Sequence, residues 1–469
     1  MQAHIPRGER RNSGLALVLG LIFVVLMASL ALAFASSSVL EFRKSANTAD
    51  AAQAQLAAES GLLYYRYILR DLQLPPGTTK ESLLNGVESA LTETFAAMPA
   101  DARPTLARTG DALTVSAIPL ARGGFAAELL VAGEASPLTC YLTVTGTKGQ
   151  AARFVRLRAV CAPLRSPIFD YGVASRGKII VSGSAVLEGV NEAAEACVLS
   201  TREEPVAIEG GGQASISGDL YVTGEDVDYV LLKGSVSIGG TSDRDEILAD
   251  HLYLGTEDPE FPEIDTAPFA ALATTIVDAN TDLSGGGNVY NNIRIKAGTD
   301  PDFPNTTQIN GIVYVEAPNK VTFHAQTEIN GLIVTEDAGG LPIDDCQIDF
   351  RGSTSAPGVT ALPDTPQFAA VKEHRGSMIL APGFGLTFRG NTNCINGLIA
   401  ADQLSFRGTS DISGEISGMV LGLKDTELTL QGNSTIRINR AGDTELPAGF
   451  KHSMGLVFDQ DSYTEPCAE

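Results

Sequence analysis

The side chains able to do chemistry are thinly spread along this chain. Asn280–Asp282 ("NTD"), the adjacent carboxylates Asp344 and Asp345, and the cations of "RIK" at Arg294–Lys296 are the residue types a polysaccharide-cleaving site uses. In such a site one carboxyl protonates the leaving oxygen and a second activates water. Order and spacing do not fit that use, because "RIK" follows "NTD" by about a dozen residues and no Gly-His-Gly partner is present. The five histidines, His4, His251, His324, His374 and His452, stand apart, without H-E-x-x-H or any Cys/His ligand spacing. No G-x-S-x-G elbow and no G-x-x-x-x-G-K-[ST] phosphate loop occurs, which excludes a nucleotide-driven motor. The expectation is a chain that is not an enzyme and carries no cofactor. Ca²⁺ at the acidic stretches "SDRDE" from Ser242 or "TEDPEFPEID" from Thr256 is the one alternative, although neither follows the EF-hand or Gly-rich nonapeptide pattern.

Six cysteines, Cys140, Cys161, Cys197, Cys346, Cys394 and Cys467, all follow the apolar N-terminal segment and none forms a C-x-x-C pair. Even number and placement fit an oxidising compartment, with buried free thiols as the alternative for the last four. "CYLTVTGTKGQAARFVRLRAVC" reads as two alternating runs about a turn. Folding it about Gln150 and Ala151 sets Cys140 opposite Cys161, so a disulfide is expected there. With Lys+Arg at 33 against Asp+Glu at 56 and a net charge of −23, no nucleic-acid partner is expected, since such binding works by neutralising phosphates. Gly at 48, aromatics at 6% and no Trp suit many short strands joined by tight bends.

The elements that carry these residues start with an uncharged run, Leu15 to Ala35, long enough to cross a hydrocarbon core of ~30 Å. Arg7, Arg10 and Arg11 precede it, which predicts a single-pass topology with the N-terminus in the cytoplasm and the body outside. A cleaved signal is the competitor, with Ala-x-Ala sites at Ala31/Ala33 and Ala33/Ala35. Against it, the run continues without Pro, and up to Gly61 without Gly, except for Gly20 within the apolar run. Val39, Phe42, Ala46, Ala49, Leu56, Leu63 and Tyr67 recur at helical spacing. One helix over 15–72 is predicted, its first half in lipid and this second-half stripe against a globular domain.

The basic leader ending in "RRNSG" before "LALVLGLIF", followed by "AAQAQLAAESGL" at Ala51 to Leu62, resembles the type IV pilin superfamily, in particular minor pilins of the PilX N-terminal type and the K-type pseudopilin of type II secretion. The resemblance implies cleavage by a prepilin peptidase between Gly14 and Leu15, and packing of the stem helix against other pilins or pseudopilins. It also implies partnership with a pilus assembly platform in the bacterial inner membrane. Two residues depart from major pilins: Leu15 stands where Phe is usual, and the fifth mature position is Leu19 instead of Glu. A carboxylate there is costly in lipid unless paired with a neighbour's terminal amine, so its absence suits a tip or initiating subunit.

Downstream, residues 73–164 are expected to form a small pilin-like α+β head, with a helix in "KESLLNGVESALTETFAAM" and an antiparallel sheet after Pro104. Beyond Asp170 an apolar-x-apolar triplet with a Gly/Asn/Ser/Thr turn recurs in "IIVSGSA", "VTFHAQT", "IDFRGST", "LTFRGNT", "LSFRGTS" and "LTLQGNS". A second phrase, as in "EINGLIV", "CINGLIA" and "DISGEIS", follows it. The pattern predicts an irregular right-handed parallel β-helix over 165–445, a β-sandwich being the alternative, with 446–469 left as a tail. Long inserts, Thr241 to Ala279 and Ser353 to Arg375, interrupt it. The fold class is thus mainly β with a long N-terminal helix. Two functions follow: a minor pilin or pseudopilin at the tip or initiating complex of a type IV pilus or type II secretion filament, or a membrane-anchored or exported surface adhesin.

Overall fold

A computed structural model describes residues 13–133, 137–390, 392–407, 411–440 and 446–465. Most of the basic leader 1–14 and Cys467 lie outside them, as does the Cys394 side chain. The chain divides into two units, one made of the residues up to Pro163 together with those from Met454, the other Leu164–Ser453. The second is therefore an insertion within the first.

In the first unit, helix α1 runs unbroken from Ser13 to Arg70. Helix α2, Lys80–Ala96, starts at a capping box in which Thr79 and Ser82 satisfy each other's backbone N–H, and buries Leu83, Leu84, Val87, Leu91 and Phe95. Strands β1 (Leu106–Thr109), β2 (Ala112–Leu120), β3 (Gly123–Ala132), β4 (Thr139–Lys148) and β5 (Ala151–Pro163) form an antiparallel meander. Its far edge is completed by β6, Met454–Thr464, which pairs antiparallel with β5. Residues 446–469, expected as a tail, thus supply the sixth strand. "MGLVF" reads as a strand only once β5 offers it an edge.

The β4–β5 hairpin corrects the expected cysteine pairing. Gly149 adopts φ 58°, so the two-residue turn is Gly149-Gln150 and Cys140 faces Ala159. Cys161 lies two residues further along, its N–H bonded to Leu138 O. Moving the turn by one residue slips the pairing by two, which keeps both sulfurs on the buried face but makes them diagonal neighbours. Such neighbours sit roughly 7–8 Å apart, beyond disulfide reach. Both are free thiols.

The second unit is a parallel β-solenoid with three faces, represented in one coil by 313–315 (first face), 321–323 (second) and 307–309 (third), its strands pairing with those of the coil above and below rather than across a sandwich. Inward residues such as Ile179, Ile208, Val313, Ile333 and Ile399 form one continuous core. On the second face Phe303, Phe323, Phe350, Phe388 and Phe406 stack in a ladder at 4.8–5.2 Å. At the corner before the first face, Asn330 donates to Asn310, and Asn310 to Asn291, at 3.1 and 3.2 Å. Gly311 and Gly331 follow those asparagines with φ 91° and 151°, which explains the repeated "ING".

Coil order does not follow chain order. The first coil, Val173 to Gly189, pairs with the next coil on one side, and on the other with the last, Val420 to Asn439. After Tyr253 the chain returns through 254–274 and starts again at Thr275–Val277, which among the described residues pairs with Asn288–Ile295 alone. That return stretch and the insert near Val359–Val371 cover the outside of the first face. Phe261, Phe269, Val359, Leu362, Phe368 and Phe450 bury Tyr314, Val334, Leu380, Ala400 and Leu421. This is why "GIVYV", "GLIV" and "GLIA" are apolar at every position instead of alternating.

Candidate assembly stem

No charged residue occurs in α1 before Glu41. Its most apolar stretch has a mean hydropathy of 2.9 and no part of that stretch is buried by the rest of the chain. Leu17, Leu21, Phe23, Leu30 and Phe34 are all exposed. Ser29 and Ser36 satisfy their hydroxyls within the helix, Ser29 Oγ donating to Leu26 O and Ser36 Oγ to Leu32 O at 2.8 Å. Such a surface is compatible with lipid or with another apolar helix, and with little else. Gly14 and Leu15 sit in the first turn of the described helix.

The second half of α1 lies on β3, β4 and β5. Its buried face is Ala54, Ala58, Leu62, Tyr65 and Leu69, with Ala57 beside it. Close approach depends on small residues: a Cβ at Gly146 of β4 would stand 2.0 Å from Ala54 O, and one at Gly61 would stand 2.6 Å from the Phe125 ring. Tyr65 packs edge-on to Phe125 at 5.9 Å, and burial, with Tyr64 beside it, pushes its phenol far above the usual range. The stripe expected to face the sheet is instead on the opposite side. Val39, Phe42, Leu56, Leu63 and Tyr67 are 51–77% exposed. Residue 56 is about 200° from residue 58 around a helix, so the helix carries two apolar stripes, and the one with alanines and glycine wins the sheet because it allows closer packing.

The residues singled out for chemistry serve the scaffold. Asp243 of "SDRDE" caps the short helix Arg244–Asp250, accepting from Asp245 N at 2.9 Å and Glu246 N at 3.4 Å. "TEDPEFPEID" belongs to the return stretch, where Glu263 pairs with Lys451 at 2.8 Å. Asp282 accepts from the Ser284 N–H and hydroxyl, which hold its carboxyl below the usual range. Asp345 pairs with Lys320 at 3.3 Å, while Arg294 and Lys296 both reach Glu316. His251 meets Asp219 at 2.8 Å and His324 meets Asp302 at 3.1 Å, whereas His374 lies against Phe269. Burial lowers the His374 and His452 values. Among the described residues no three His, Cys, Asp or Glu side chains come together as a metal site.

Among solved structures, the competence-associated pilin ComZ from Thermus thermophilus is similar to this chain at 13% identity, over 89% of this chain and 97% of that one, with a TM-score of 0.27. No protein-family model matches the chain, and no curated protein matches it in sequence.

Proposed function

We propose that this chain is a pilin-like structural subunit, anchored by α1 in the bacterial inner membrane with its body outside the cytoplasm. It joins other pilins or pseudopilins through that helix, as a minor subunit of the tip or initiating complex of a type IV pilus or type II secretion filament. The observation that carries the reading is the form of α1. A lipid anchor ends at the membrane, but this helix continues as one rod into the head, packs one side on the sheet and leaves an apolar stripe uncovered on the other. Leu19 at the fifth mature position and a 290-residue insertion in the head favour a low-copy or terminal place over a crowded shaft. A prepilin peptidase and an assembly platform are the partners this reading requires.

Mass-spectrometric sequencing of the mature N-terminus tests it. The expected start is Leu15, with the preceding leader removed after Gly14. A start at Ser36 would instead make the protein an exported soluble adhesin, and an intact Met1 a simple anchor.

A further inference from the structure

One face of the second unit carries a row of arginines that the stem does not use. Arg351, Arg389 and Arg407 each follow the inward phenylalanine of their coil, Phe350, Phe388 and Phe406, in strands paired residue for residue. Those rings are 4.8 and 4.9 Å apart, so the three guanidiniums leave the same corner one coil apart. A single carboxylate serves two of them: Asp349 accepts from Arg351 Nε at 2.7 Å and from Arg389 Nε at 3.1 Å. Arg407 Nε donates to Ser405 Oγ at 2.7 Å. These bonds run through Nε, which leaves the Nη pair of each fork for a second acceptor. The Arg351 and Arg389 side chains are 47% and 56% exposed, and Arg407 is exposed. In a chain of net charge −23, three cations against one carboxylate in a straight row is a local reversal of sign.

We propose that this row binds an anionic polysaccharide, an extended polyuronate whose carboxylates repeat along the solenoid axis and dock on successive arginines. In the column beside it the half-buried Thr322 and Thr387 flank Asp349 and supply neutral donors and acceptors to the sugar ring edges, while Ser405 and Thr429 are buried and bonded to each other. Nucleic acid fits less well. Duplex phosphates on one strand advance by about 3.4 Å, and single strands need exposed aromatic platforms, whereas the phenylalanines of this face all point inward and are buried. The proposal does not depend on how the stem is processed or assembled.

Retention of the detergent-solubilised full chain on immobilised polygalacturonate tests it, with neutral galactan and a single-stranded oligothymidylate as comparison matrices. The wild type should be held on polygalacturonate at low salt and released as salt rises. R351Q/R389Q/R407Q should weaken retention by about tenfold or more and lower the unfolding temperature, because the buried Asp349 loses both its cations, while R66Q/R108Q/R153Q in the first unit should leave retention unchanged. D349N removes the internal competitor for two of the arginines and should tighten retention, which keeps the test decisive if the triple variant folds poorly. No retention of the wild type, equal retention of the triple variant, no tightening in D349N, or stronger capture by oligothymidylate than by polygalacturonate would overturn it.

Discussion

Asp402 shows how a single carboxyl sets a pH dependence in this fold. Its Oδ1 is buried without a hydrogen-bond partner, and burial raises its pKa, opposed by the Gly383 N–H and Lys424 and reinforced by Asp337. A carboxyl raised in the folded state contributes stability that is complete below its unfolded value and lost as pH rises through the folded one. Asp402→Asn should therefore raise the unfolding free energy by about 1 kcal/mol at neutral pH and by little near pH ~3, where the acid is neutral in both states. Thermal unfolding of both proteins across that range checks it; a gain that persists unchanged at the acidic end would sink the idea. At this scale the sequence was legible in kind but not in register. The alternation around Cys140 and Cys161 identified the hairpin, yet the positive φ of Gly149 moved the turn by one residue and separated the sulfurs. Asp402 itself has no sequence signal, because its burial comes from neighbouring coils.

At the scale of elements, α1 carries two apolar stripes on opposite sides. Continuity of the helix and its apolar first half follow from the absence of Pro and charge, so both were readable. The choice of face was not, since Leu56, Leu63 and Tyr67 repeat with the same period as Ala58, Leu62, Tyr65 and Leu69, and only the sheet's need for close approach at Gly146 decides between them. Replacing Leu56, Leu63 and Tyr67 together by Gln should leave the head's unfolding within about 0.5 kcal/mol of wild type, because these side chains are exposed. The same variant should no longer co-purify with neighbouring filament subunits. Leu62→Ala, at a residue only 6% exposed, should do the reverse, costing about 2–4 kcal/mol of head stability. If the Gln variant still assembles, the exposed stripe is not the contact surface.

For the whole molecule, the informative fact is where the second unit begins and ends. Leu164 N donates to Ser453 O at 2.7 Å, so both ends of the insertion lie side by side. That closure explains the coil order, for a solenoid growing in one direction from Leu164 would finish many coils away from its start. Returning through 254–274 and restarting at the opposite end brings the last coil back against the first, at the cost of ordering a long connection, which the apolar cover over the first face offsets. The repeated phrases could not reveal this, since each coil offers nearly the same strand to whichever neighbour stacks on it. Cross-linking can. Ser182 and Gln431 are register partners in adjacent parallel strands although 249 positions separate them in sequence. In the Ser182→Cys/Gln431→Cys variant, mild oxidation should link the two cysteines, identified as a joined peptide by mass spectrometry. Closing so long a loop should also raise the free energy of unfolding, by about 5–6 kcal/mol on chain-entropy grounds if the bond forms without strain. Coils stacked simply in chain order would hold these positions at opposite ends of the unit, and no such peptide would form.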